Sequence, residues 1–164
     1  MRNILVTGGA GYIGSILSFY LLNKNLNVFI IDNLSRGHKK LINKKASFFK
    51  LSLKNSKEIR KIVIQKKIDT VIHLAAFIKV DESIKNPSLY LKNNVEGTIS
   101  LIESVKNTLV KRLIFSSSSS VYGKTKKKII PFYTTGIEGF DINYPQDLKY
   151  ANFLAKKNIP KVKK

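Results

Sequence analysis

The 164 residues are one domain's worth of chain, 43% of them hydrophobic, which is enough to bury a core. The absence of cysteine excludes disulfides and thiol chemistry and suits a cytoplasmic setting, and no run approaches the ~18 apolar residues of a membrane span. Thirty Lys and Arg against ten acids give a net charge of +20, a strong field for phosphate.

That field does not point to a specific nucleic-acid partner. The excess is mostly lysine, scattered through every segment beside abundant Asn and Ile, and no nucleic-acid module or aromatic-basic interleaving accompanies it. Salt-sensitive, non-specific sticking is the expected consequence. The N-terminus opens into an apolar run without a signal-peptide pattern and is expected to belong to the fold.

Residues 1–14 read M-R-N-I-L-V-T-G-G-A-G-Y-I-G. The short branched run 3–7 predicts a buried parallel strand. Gly8, Gly11 and Gly14 follow as T-G-x-x-G-x-x-G. Residues 12–24 then predict a helix whose apolar face is Ile13, Ile16, Leu17, Tyr20 and Leu21. In such a turn one glycine makes the bend, one admits a pyrophosphate and one lets helix meet strand, with the anion on the helix amides.

A second apolar run, 27–31, is closed by Asp32, about 20 residues past the glycines. A carboxylate there accepts hydrogen bonds from an adenosine ribose and repels a 2′-phosphate, so NAD is favoured over NADP. Arg36 lies close enough to soften that preference. The bland alternative, a glycine turn without a ligand, loses weight because strand, helix and acid occur together.

Residues 33–38 form a polar loop in which His38, with no partner at metal-ligand spacing, reads as solvated. Residues 46–51 predict a third strand, and Asn55 with Glu58 predicts a capping box. The helix behind it, running to about Lys67, buries Ile59, Ile62 and Val63. A fourth strand, 69–73, continues into the small residues of L-A-A, with His73 read as a hydrogen-bonded structural residue. A helix over about 88–106 carries Leu91, Val95, Ile99, Ile102 and Val105 on one face, with Asn93 and Asn94 early in it. Residues 111–115 complete the strands.

The order β-α-β-(α)-β-α-β-α-β demands an α/β, doubly wound parallel sheet with ligands at the carboxyl ends of its strands. Ser116 to Ser120 follow the fifth strand directly, facing that same crevice.

T-G-G-A-G-Y-I-G-S (7–15), D-N-L-S (32–35), V-I-H-L-A-A (71–76), N-P-x-x-Y-x-x-N-N-V-x-G-T (86–98) and F-S-S-S-S-S-V-Y-G (115–123) occur in this order. Together they resemble the extended short-chain dehydrogenase/reductase family of NAD-dependent epimerases and dehydratases, and within it most closely the UDP-glucose 4-epimerase group. The resemblance implies a Rossmann-like domain with NAD contacts at Gly8, Gly11, Tyr12, Ile13, Gly14, Asp32, Asn33 and Ser35. It adds Leu74, Ala75, Ala76 and Asn94 beside the cofactor, and Ser118 bonded to the sugar. The implied reaction takes a hydride from C4 of a UDP-hexose and returns it to the other face of a 4-keto intermediate. UDP-glucuronate epimerases and nucleotide-sugar dehydratases share most of the motifs. A homodimer built on the helix from Ser88 is compatible with the same resemblance.

The sequence also departs from the family. Ser52 stands where relatives carry an aspartate near adenine. Near where the family carries its catalytic Y-x-x-x-K, this chain offers Tyr144 and Lys149, which are five apart, with Pro145 directly after the tyrosine. Tyr20/Lys24 and Tyr122/Lys126 have the spacing but fall in the opening helix and the serine loop. Residues 1–132 therefore read as the NAD-binding domain and 133–164 as a degenerate or truncated segment with a basic tail, lacking the substrate domain. No metal site is expected. Three readings stay open: a sugar-nucleotide epimerase, an NAD-binding remnant without turnover, and a basic nucleic-acid-binding protein.

Overall fold

A computed structural model of the chain describes residues 2–117. Five strands, β1 (Asn3–Thr7), β2 (Asn27–Asp32), β3 (Ser47–Lys50), β4 (Thr70–His73) and β5 (Arg112–Phe115), form one parallel sheet in the order β3-β2-β1-β4-β5. The chain winds outward from β1 in one direction through β2 and β3, then returns to β1's other side with β4 and β5. The switch point thus lies between the carboxyl ends of β1 and β4, where Thr7 is in register with His73. A doubly wound sheet opens a ligand crevice there. Leu5, Val6, Ile30, Ile31 and Val71 are fully or almost fully buried, as central strands covered on both faces must be.

The helices are α1 (Tyr12–Asn23), α2 (Ser56–Gln65), α3 (Val80–Lys85), α4 (Pro87–Tyr90) and α5 (Gly97–Val105). A π turn, Leu91–Glu96, joins α4 to α5 in one helical run. Between β2 and β3, where the alternation leaves room for a helix, the chain forms only a 3-10 turn, Lys39–Leu41. The short α3 has no counterpart in the sequence reading.

The apolar face of α2 is as expected: Ile59, Ile62 and Val63 are buried. Two other helix faces are not. On α1 the residues turned to the sheet are Gly14, Ser18 and Leu21, while Ile13, Ile16, Phe19 and Tyr20 are each more than half exposed. Gly14 explains the choice. A Cβ there would come within 2.8 Å of the Gly9 Cα, so only a glycine lets the helix approach the β1 turn this closely. Ser18 continues the stripe and donates its hydroxyl to the Gly14 carbonyl at 2.7 Å, so its burial leaves no polar group unpaired.

The run 87–105 repeats the pattern. Gly97, Leu101 and Ser104 are buried, and Ser104 donates to the Ser100 carbonyl at 2.7 Å. The expected core face is instead turned outward: Leu91, Val95, Ile99 and Ile102 are between 43% and 58% exposed, and only Val105 packs against the core. The capping box is also absent. Asn55 is the N-cap of α2 but its side chain accepts the Ser52 N–H at 3.1 Å, closing the preceding turn instead.

At the opposite end of the sheet, Asp69 ties β4 to β1. It accepts the Asn3 N–H at 2.8 Å and the Thr70 hydroxyl at 2.6 Å. Burial pushes its carboxyl up, but these two hydrogen bonds, with Arg2 and Arg112 nearby, hold it below the usual carboxylate range.

These packing assignments separate two isoleucines that the sequence treats alike. Ile59→Ala is expected to cost about 2–5 kcal/mol in urea unfolding, whereas Ile16→Ala stays within about 0.5 kcal/mol.

Candidate functional site: a crevice at the switch point

The site begins with the β1 turn. Gly8 has φ +73°, a conformation that side-chain-bearing residues rarely adopt, and a Cβ there would lie 2.8 Å from the Ala75 N. Its N–H donates to the Ile31 carbonyl at 2.9 Å, so the turn is anchored to β2 while it presses on the segment after β4. The Gly11 N–H returns to the Gly8 carbonyl at 3.1 Å and α1 starts at Tyr12. Among the described residues the N–H groups of Tyr12, Ile13 and Gly14 have no hydrogen-bond acceptor. Unsatisfied amides at a helix N-terminus attract anions.

Asp32 closes β2 and joins that turn to the following loop. Its Oδ2 accepts the Ala10 N–H at 3.1 Å and its Oδ1 the Leu34 N–H at 2.7 Å. Each oxygen keeps a lone-pair direction for a further donor, which suits ribose hydroxyls. The loop is self-supporting: Asn33 accepts the Ser35 N–H at 2.9 Å, Leu34 sits at φ +60°, and the His38 N–H donates to the Ala10 carbonyl at 2.9 Å. The His38 side chain is exposed.

The third wall is the segment after β4. His73, 3% exposed, bridges Thr7 Oγ1 at 2.6 Å through Nδ1 and Thr98 Oγ1 at 2.9 Å through Nε2. The tautomer follows from the partners. Thr98 gives its one hydroxyl proton to the Asn94 carbonyl at 2.5 Å, so it accepts from His73, which must carry its proton on Nε2. Nδ1 is then an acceptor, Thr7 donates to it, and the Thr7 oxygen accepts the Ala75 N–H at 3.4 Å. Every proton has a place when His73 is neutral. Burial pushes its pKa down. Asn94 completes the wall by pairing with the backbone of Phe77, accepting its N–H at 2.8 Å and donating to its carbonyl at 2.9 Å.

These walls enclose a cleft of about 140 Å³. Of the residues expected at a cofactor, Gly8, Gly11, Asp32, Asn33, Ser35, Leu74, Ala75 and Ala76 line it together. Tyr12, Ile13 and Gly14 stand just behind, in the first turn of α1, and Asn94 reaches the Phe77 backbone from the π turn. Ser52 is tied into its own turn, its hydroxyl oxygen accepting the Lys54 N–H at 3.3 Å. Ser118, Tyr144 and Lys149 lie outside the described residues.

The sequence reading did not place Phe77, Leu51, Leu53 or Asn93 in the cleft, although all four line it. Nor did it find Glu82, which pairs with Arg36 across 46 residues of chain. Nothing local marks that pair, whereas the doublet Asn93-Asn94 was a visible signal of buried polar partners. Among the described residues no group of three or more His, Asp or Glu is placed to hold a metal ion.

The model of the NAD dependent epimerase/dehydratase family matches residues 4–145. UDP-glucose 4-epimerase of Lactobacillus helveticus is 43% identical over 124 residues, which is 76% of this chain and 38% of that protein. UDP-glucose 4-epimerase uge1 of Schizosaccharomyces pombe is 42% identical over 127 residues, 73% of this chain and 36% of that protein. The chain thus spans well under half the length of the curated relatives named here. Among solved structures, UDP-glucose-4-epimerase from Stenotrophomonas maltophila, with bound NAD and formylated UDP-arabinopyranose, superposes with a TM-score of 0.73 at 30% identity. That similarity covers 96% of this chain and 48% of the other. The Thermotoga maritima UDP-glucose 4-epimerase with UDP-glucose gives a TM-score of 0.72 at 32% identity, covering 95% and 52%.

The His73 network has a measurable consequence. Its pKa is lowered in the folded state, so the unfolded chain binds the extra proton first and stability falls as pH drops below the ordinary histidine value of about 6.5. Urea unfolding between pH 7.5 and 5 should show a slope of up to about 1.4 kcal/mol per pH unit, flattened in His73→Gln. The depressed carboxylates Asp69 and Glu82 titrate below this window.

Proposed function

The chain belongs to the NAD dependent epimerase/dehydratase family, and from that premise we propose that its crevice binds NAD for the 4-epimerisation of a UDP-hexose, interconverting UDP-glucose and UDP-galactose. One observation carries the cofactor reading. The Asp32 carboxylate joins the glycine turn to the β2 loop with acceptor capacity to spare, directly beside open amides of α1. A ribose diol on the first and a pyrophosphate on the second would match a dinucleotide's adenosine half.

Leu74, Ala75 and Ala76 offer a low, small-residue wall to the central part of such a ligand. Bound NAD supplies a hydride acceptor that can also give the hydride back, so no net oxidation occurs. Ser118 is proposed to hydrogen-bond the sugar, and Tyr144 with Lys149 to move the proton, the cation favouring the phenolate. Residues 1–132 would form the cofactor domain and 133–164 a separate segment. Two alternative activities, those of a UDP-glucuronate epimerase and a nucleotide-sugar dehydratase, go with most of the same sequence motifs. The cytoplasm is the proposed location, and among the described residues no helix is long and apolar enough to cross a membrane. No specific nucleic-acid partner is proposed.

A second reading, NAD binding without turnover, is favoured by the spacing of Tyr144 and Lys149. Five residues on a helix are rotated about 100° beyond the four-residue spacing that places a pair on one face.

Calorimetric titration with NAD at moderate salt should give binding that Asp32→Ala weakens at least tenfold. Conversion of UDP-galactose to UDP-glucose by the same preparation then supports the epimerase. Binding without conversion selects the second reading, and a folded chain that binds no NAD overturns both.

The exposed stripe Leu91, Val95, Ile99 and Ile102 is proposed to pair with its counterpart on a second copy of the chain. Its four branched side chains share one helix face and are about half exposed, apolar surface that such a pairing would cover. Light scattering should report a dimer that Ile99→Glu converts to a monomer.

A further inference from the structure

Arg36 and Asp32 send opposite messages about the cofactor. A carboxylate at the end of β2 rejects a ribose 2′-phosphate, and an arginine in the following loop is the usual means of accepting one. Both residues line the same cleft, and Gly37 is packed so tightly that a Cβ there would lie 3.0 Å from both Asp32 carboxylate oxygens. The backbone beside Arg36 is therefore at the ribose end of the site. Its guanidinium is not aimed there.

The side chain turns across to the far wall. Nη2 donates to Glu82 Oε2 at 2.5 Å, and the guanidinium carbon lies 4.2 Å from the centre of the Phe77 ring. Glu82 is itself positioned, accepting the Tyr90 hydroxyl at 2.8 Å on the same oxygen, while Tyr90 meets Phe77 edge-on with centroids 5.7 Å apart. Three side chains from three segments, Phe77, Glu82 and Tyr90, thus fix the cation by charge, ring face and hydrogen bond. Phe77 in turn is held through its backbone by Asn94. Arg36–Glu82 is a true ion pair about one-third exposed at each side chain, and the only other among the described residues is the looser Lys54–Glu96 at 3.7 Å.

We propose that Glu82 is a specificity-determining residue for this cleft: by sequestering Arg36 against Phe77 it withholds the one cation among the described cleft-lining residues that could neutralise a 2′-phosphate, leaving Asp32 to select the unphosphorylated dinucleotide. The proposal rests on the dinucleotide reading given above. It assigns Glu82 a role at a distance, as a positioning residue that acts through Arg36.

The test uses the full chain and its variants Glu82→Gln, Arg36→Gln and the double substitution, titrated with NAD and with NADP. Glutamine keeps an acceptor for the Tyr90 hydroxyl and removes only the charge. Both positions are about one-third exposed, and circular dichroism checks that each variant is folded. The expected result is that Glu82→Gln raises the NADP-to-NAD affinity ratio about tenfold, the scale of one charge-assisted hydrogen bond. Arg36→Gln should leave the ratio as in the parent chain, and the double variant should lose the gain. An unchanged ratio in Glu82→Gln overturns the assignment while NAD binding stands. A gain that persists in the double variant also overturns it, because removal of a negative charge alone then explains the shift. Failure of the parent chain and every variant to bind either dinucleotide overturns the dinucleotide reading and this assignment with it.

Discussion

The paired carboxyl ends of β1 and β4 are tied to α5 by one buried ring. His73 spans Thr7 and Thr98, and all three polar groups are satisfied only in one tautomer and one direction of donation. Backbone pairing already sets the spacing of the two strands, and the ring adds a tie from their ends to the helix above. With it, the Thr7 oxygen is free to take the Ala75 N–H, and Ala75 is set against Gly8 at the limit of backbone contact. The cleft floor is thus fixed by hydrogen bonds that begin in the core. The same low-dielectric setting that strengthens the chain of bonds makes a second proton on the ring costly. Thr7, fully buried, would have nowhere else to send its own.

Close approach recurs as the constraint on the helices. α1 meets the sheet through Gly14 and Ser18, α5 buries Gly97 against Leu53 and Ser104 beside it, and the buried serines of both helices return their hydroxyls to the preceding turn. Small residues sacrifice apolar area, but they bring the positive end of α1 close to the β1 turn, where its open amides face the cleft. α2 has no such duty and packs with Ile59, Ile62 and Val63, the ordinary arrangement. Packing style thus follows what each helix must present at the carboxyl end of the sheet.

This division also sorts what was legible in the sequence. The five strands, their parallel alternation, the glycine turn and Asp32 were all readable, because each is a local pattern with one physical solution. The face of α2 was readable for the same reason. The faces of α1 and of the 87–105 run were not. Counting apolar residues at helical spacing assumes that the largest side chains turn inward, and here Gly and Ser do. Asn55 was correctly placed as an N-cap, but its side chain serves the turn before the helix, a choice between two nearby N–H donors that spacing cannot make. The Arg36–Glu82 pair was beyond reach altogether, since 46 residues separate partners that meet only once β2 and β4 lie on either side of β1.

Charge gives that pair its significance. With thirty cations and ten acids, an arbitrary arginine on this surface has no carboxylate to claim, and Arg36 in a loop beside Asp32 would by default face solvent or ligand. The described acids are used sparingly. Asp69 ties β4 to β1, Asp32 ties the glycine turn to its loop, and Glu82 takes Arg36 together with Tyr90. Hydrogen bonds from Arg36 and then Tyr90 hold the Glu82 carboxyl below its ordinary range. Residue identity in the loop is therefore a poor guide to the field a ligand meets. What matters is which cations already have a partner, and at this crevice the arginine nearest the ribose end has one.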